Sequence, residues 1–173
     1  MKKFLSLLLA AVMMLGLVSS CSPAQEDKDA LAVCLASEPD TIDPALNSAV
    51  DGATMIIHLF SGLAKWAQNA SGKLEIVADC AEALPEPVAN DDGTVTYTYT
   101  LKEGLKWSDG KDLKAADFVF AWNRAASVAL GADYGYMFDV VKGYDEIWAT
   151  DDDGNAINPD AKLAVEATDD RTL

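Results

Sequence analysis

Asp151-Asp152-Asp153-Gly154-Asn155 is the densest run of potential metal ligands in this chain of 173 residues. With Gly154 as the sixth residue of an EF-hand loop, the first position is Ala149 and the twelfth is Asp160. The first ligand and the bidentate Glu are then both missing, so the run reads as a solvated acidic turn and no metal is expected. Cys34 and Cys80 lie in no CxxC or Cys/His spacing, and the single histidine, His58, cannot build a zinc site. His58 sits in an apolar run, and no G-x-S-x-G supplies a nucleophile beside a base. Carboxylates are plentiful, but none is singled out by its setting for acid–base work. The residue types therefore argue against an enzyme and call for no cofactor. Trp107 and Trp122 are aromatic enough to be ligand platforms. Trp122 shares a helical stripe with Phe118 and reads as core; Trp107 precedes Ser108-Asp109-Gly110 and reads as the anchor of that turn to the core.

The one cysteine in a chemically suggestive setting is Cys21. Lys2 and Lys3 precede an apolar stretch from Phe4 to Val18, too short for an ordinary spanning helix and suited to a signal peptide. The stretch ends in Val18-Ser19-Ser20-Cys21, which resembles the lipobox of bacterial lipoproteins, where the cysteine is diacylated. Residues 1–20 are thus expected to be a signal peptide, Cys21 a lipid anchor, and residues 21–29 the lipidated cysteine with a polar tether. Cleavage would remove two lysines and leave 11 Lys/Arg against 28 Asp/Glu, a net charge of −17. Such a balance opposes nucleic acid and anionic lipid as electrostatic partners. Export permits a Cys34–Cys80 disulfide; two buried thiols are equally compatible with the sequence.

Several elements must position whatever residues act. Ala30 to Leu35 is a short apolar run expected as a buried strand. Ser37 to Pro44 has two prolines and reads as an extended connector, continuing as loop through Gly52. Ile56, Ile57, Leu59, Phe60 and Leu63 are spaced for a helix over 53–63, buried on one side, with Gly62 near its end as a close approach or a C-cap. Residues 65–72 read as strand then turn. Asn90-Asp91-Asp92-Gly93 is a strong turn signal, and Val95, Tyr97, Tyr99 and Leu101 then alternate with threonines as a strand, apolar side inward. From Asp117 the period changes: Phe118, Ala121, Trp122, Ala125 and Ala126 form one helical stripe. Residues 132–138 form an aromatic loop, 140–149 a second short helix, and 162–167 a strand. Arg171-Thr172-Leu173 begins another strand, and because a lone strand start leaves backbone groups unpaired, the chain is expected to be an N-terminal fragment. Mixed order predicts an α/β (mixed α+β) domain over 30–173.

Five segments resemble, in order, the extracellular solute-binding proteins of peptide-type ABC importers (family 5). Leu101–Arg124, LKEGLKWSDGKDLKAADFVFAWNR, carries the KWSDG…ADFV signature. Ser37–Pro44 is similar to SEP-x-TLDP, Leu59–Leu63 to LFEGL, Asn90–Lys102 to DDGxTYTFxLR, and Lys162–Leu173 to LGVKAxDDxTL. Lys114 stands where the family has a capping Thr, and Ser61 replaces the acid of LFEGL. The resemblance implies the N-terminal part of a two-lobed, type II binding-protein fold, likened to the periplasmic binding proteins, that closes around peptide and delivers it to a membrane permease. It implies a monomer that is exported and held by Cys21 to the outer face of the cytoplasmic membrane, or is periplasmic.

The resemblance also carries over two ligand segments. Counting on from Asp43-Pro44 and back from Leu59-Phe60 puts a ligand-contacting backbone at Ser48, Ala49 and Val50. The loop after the signature helix supplies a ligand-lining tyrosine, Tyr134, with Tyr136 as the alternative. Other cargoes (a nickel complex, an oligosaccharide, a signalling peptide) remain open, as does a secreted hydrolase or adhesin.

Overall fold

The computed structural model describes residues 33–173. The signal segment, Cys21 and the tether lie outside the described residues. Helix α1 spans Val50–Leu59. A hairpin follows, β1 (Ala64–Gln68) pairing antiparallel with β2 (Leu74–Ala78), with Trp66 opposite Ile76. A smaller hairpin joins β3 (Val88–Ala89) to β4 (Val95–Thr96) across the Asn90–Gly93 turn. Helix α2 (Ala115–Ala126), a 3-10 helix (Gly135–Phe138) and helix α3 (Tyr144–Trp148) complete the order.

The body is knitted by backbone pairing that reaches beyond the two hairpins. Cys80 donates to the Gly62 carbonyl at 3.0 Å, and Lys102 donates to the Cys80 carbonyl at 2.9 Å. On the other edge of the same segment, Tyr99 and Leu173 exchange reciprocal bonds of 2.8 and 3.1 Å, and Leu101 donates to the Arg171 carbonyl. Residues around 62, 80, 101 and 172 therefore lie side by side. Leu101, in the middle of this ladder, is fully buried, and such a side chain contributes about 2 kcal/mol of hydrophobic stabilisation. Leu63, Cys80, Ala115 and Phe118 pack around it. A second cluster forms from Ala126, Ile147 and Leu163, and Trp122 packs against both clusters. Trp122 is thus core, as its stripe predicts, with its ring 5.9 Å from that of Phe138.

The ends of α2 follow local chemistry. Lys114 is the N-cap and offers no side-chain cap; instead the Asp117 carboxylate accepts from the Lys114 N–H at 2.9 Å. The same carboxylate accepts from Trp107 Nε1 at 3.1 Å, so Trp107 ties its turn to the helix but, 45% exposed, does not anchor it to the core as expected. Gly110 closes that turn at φ 86°, a left-handed conformation that favours glycine.

Several expectations are corrected. No strand forms over the described part of 30–35, where Val33 is 69% exposed. Cys80 is buried but Cys34 is exposed, so the two are not a pair of buried thiols. Helix α1 begins three residues earlier than 53 and ends at Leu59, because Phe60 turns extended (φ −124°, ψ 151°). Gly62 is therefore a pairing residue, not a cap, and α1 is mostly exposed: Ile57 is 72% accessible. The 95–101 alternation holds at Tyr99 and Leu101, which have neighbours on both edges; Val95 and Tyr97 are exposed. Ala121 is exposed, and Ala115 takes its place on the buried stripe of α2. Helix α3 starts at Tyr144 because Gly143, at φ 98°, breaks the run. Residues 162–167 are not a strand: Leu163 donates to Asn123 Oδ1 at 2.9 Å and Ala164 to the Lys142 carbonyl, a side-chain and loop docking in place of a ladder. Arg171–Leu173 is not a lone strand start, since it pairs with Tyr99–Leu101.

Candidate functional site

Ser48–Val50 is the entry to α1. Ala49, its N-cap, is extended (φ −114°, ψ 153°) and donates no side-chain cap, and Val50, expected in a loop, is the first helical residue at 85% exposure. The entry is shaped by the turn before it. The Asp43 carbonyl accepts from the N–H groups of Leu46 and Asn47 at 3.1 and 3.0 Å, and Asp43 Oδ1 accepts from the Ala45 N–H at 2.9 Å. Asn47 Nδ2 then donates to the Ala49 carbonyl at 2.9 Å. Gly52 is buried against this turn: a Cβ there would lie 1.9 Å from Asn47 Oδ1 and 2.7 Å from the Thr41 carbonyl oxygen.

Tyr134 precedes the 3-10 helix and is half exposed, with the Tyr136 ring 6.1 Å away. Its loop is held to the C-terminal end of α2. Ser127 Oγ donates to the Arg124 carbonyl at 2.8 Å, buried Gly135 lies close against the Ala125 carbonyl, and Phe138 packs on Trp122. Among the described residues, no hydrogen bond or ring contact runs directly between Ser48–Val50 and Tyr134.

The two segments meet through a pair that sequence reasoning missed. Arg124 Nη1 and Nη2 donate to Asp43 Oδ1 and Oδ2 at 3.0 and 2.6 Å, a two-pronged ion pair 81 residues apart in sequence. The Arg124 guanidinium beside Asp43 holds its carboxyl below the usual carboxylate range. The available signal was that Asp43 begins an Asx-type turn and that Arg124 is the last residue of the signature block.

Other charged groups serve the scaffold. Arg171 donates to the Leu101 carbonyl, to Glu103 at 3.1 Å and to Glu82, joining three segments at the ladder. Asp151 accepts from Asp153 and Asn155 N–H groups in its own turn, and among the described residues no cluster of three or more His, Cys, Asp or Glu is placed to hold a metal ion. His58 is exposed, its Nδ1 2.7 Å from the Thr54 carbonyl. A cleft of about 610 Å³ lies elsewhere, between Lys142, Glu146, Pro159 and Lys162, and includes none of Ser48, Ala49, Val50 or Tyr134.

Residues 75–173 match the family model of bacterial extracellular solute-binding proteins, family 5. The chain belongs to that family. The oligopeptide-binding protein OppA of Bacillus subtilis is 31% identical over 147 residues, 84% of this chain and 24% of that protein. The probable deoxycholate-binding periplasmic protein YgiS of Escherichia coli is 33% identical over 139 residues, 79% of this chain and 23% of its own length. Among solved structures, Listeria monocytogenes OppA bound to peptide superposes with a TM-score of 0.57 at 31% identity, covering 76% of this chain and 23% of that one. The chain thus spans about a quarter of the length of these relatives, and its mixed helices and strands correspond to part of their two-lobed fold.

Proposed function

We propose that this chain belongs to the substrate-binding lipoprotein of an ABC importer, capturing extracellular oligopeptides and handing them to a membrane permease without chemical turnover. The observation that carries the reading is that an extended, exposed Ala49 and a half-exposed Tyr134 lie on two segments each tied to α2, one through Arg124–Asp43 and the other through Gly135 against Ala125. With the Ala49 carbonyl taken by Ala53 and Asn47, this extended entry would offer N–H groups to a peptide, and a tyrosine supplies apolar area with a polar tip. Binding by such a protein shifts an equilibrium between open and closed lobes, and the closed form docks on the permease. Relatives with peptide in their names support this cargo. The deoxycholate-binding relative supports a second reading, an amphipathic small molecule in the same site.

Calorimetric titration of the protein with tetraalanine tests the assignment. Tyr134→Ala should weaken binding by about tenfold, the scale of one aromatic contact; unchanged affinity would remove Tyr134 from the site. The lipid anchor has its own test. Cells given a labelled fatty acid should incorporate it into this protein, and Cys21→Ala should abolish the label. Label persisting in that variant would contradict the anchor.

A further inference from the structure

We infer that Asp43 and Arg124 are positioning residues that set the distance between the two ligand segments; this rests on the peptide-binding reading above. Residues 36–60 contribute nothing to either core cluster. Among the described residues, the hydrogen bonds that tie 36–60 to the body beyond Gly62 both come from Arg124 to Asp43. From Asp43 the order passes to the candidate site in two steps: its carbonyl and carboxylate close the turn, and Asn47 in that turn holds the Ala49 carbonyl. The tyrosine loop needs no such tether, because Phe138 packs on Trp122 and Gly135 seats against Ala125. One segment is therefore seated by core packing, and the other, between residues 36 and 60, is hydrogen-bonded to the body through one fork. A guanidinium suits the task because both its donors point in one plane, which fixes angle as well as distance; an ammonium at 124 would keep the charge and lose the orientation.

Amide hydrogen exchange of the protein, read with peptide-level mass spectrometry, tests this directly. Arg124→Lys and Asp43→Asn should each raise exchange about tenfold in residues 45–57, the scale expected for losing a charged hydrogen bond. Residues 128–141 and the hairpin 64–78 should keep their wild-type protection. Lys114→Met, which removes the 2.9 Å pair with Asp170 at the other end of α2, should change neither segment. Unchanged exchange in 45–57, or an equal rise across 64–78, overturns the proposal; Arg124→Lys decides should Asp43→Asn unfold. Tetraalanine supplies an independent reading. Both variants should bind it about tenfold more weakly, with Trp122–Phe138 packing unchanged by near-UV circular dichroism. If wild-type protein gives no tetraalanine signal, the peptide reading fails, and the exchange pattern still decides whether the pair positions the loop.

Discussion

At the scale of residues, carboxylates do most of the structural work that charge does here. Arg124 lowers the Asp43 carboxyl, Lys106 lowers Asp112, and the N–H of Arg171 lowers Asp169. Asp92 is held low by the Thr94 hydroxyl first and Lys142 second. Each group binds a proton more weakly folded than unfolded. Their contribution is therefore present above the ordinary carboxylate value of about 4 and is lost as pH falls through the depressed folded values. The groups are largely solvated, so each effect is small. The urea midpoint of the protein should fall steadily between about pH 4 and pH 2, and Asp43→Asn should fall less steeply. A midpoint independent of pH over that window contradicts this account. At this scale the sequence told the role of Trp122 correctly, since a Trp on an apolar stripe has few alternatives; Trp107 anchors its turn to Asp117 of α2 and not to the core, and stays 45% exposed. The sequence could not tell that Asp43 would find Arg124. Nothing local joins two residues 81 positions apart, and both were read only as parts of motifs.

At the scale of elements, legibility tracked how far each element depends on its own sequence. The Asn90–Gly93 turn and the 65–72 strand and turn are specified by local signals and stand where those signals put them, and helix α2 opens at Ala115, two residues before the change of period at Asp117. Helix α1 was misplaced because its start is decided by a neighbour. Gly52 is the close-approach residue on which the Thr41–Asn47 turn rests, an arrangement invisible to periodicity. Residues 162–167 alternate like a strand, yet Asn123 and Lys142 take up two of their backbone donors. The Gly52 contact has a consequence opposite to helix propensity. In an open helix, Gly→Ala stabilises by about 1 kcal/mol. Here the new methyl would stand 2.7 Å from the Thr41 carbonyl oxygen and closer still to Asn47 Oδ1. Gly52→Ala should therefore lower the unfolding free energy, read by urea titration, by about 1–3 kcal/mol, the usual cost of overpacking. A rise in stability would show that α1 does not rest on the connector.

At the scale of the whole molecule, the Leu101–Arg124 block acts as a scaffold with one working end. Its strand carries the buried Leu101, its turn is pinned by Trp107 to Asp117, and its final residue reaches the connector that bears Ser48–Val50. Large apolar side chains on α1 and the first hairpin are exposed, Val50 and Trp66 among them at 85% and 67%. Apolar periodicity placed Ile57 and Leu59 of α1 on a buried face, yet they are 72% and 55% exposed; it was right about their character while blind to which neighbours would cover them. The central claim is that this protein binds extracellular peptide and does not consume it. Thermal unfolding with and without tetraalanine, followed by chromatography of the peptide, tests it most directly. The account predicts a melting temperature that rises with peptide concentration, equivalent to about 2.7 kcal/mol at a hundredfold excess over Kd, with every peptide molecule recovered intact. No shift, or recovery of alanine and shorter fragments, would contradict it.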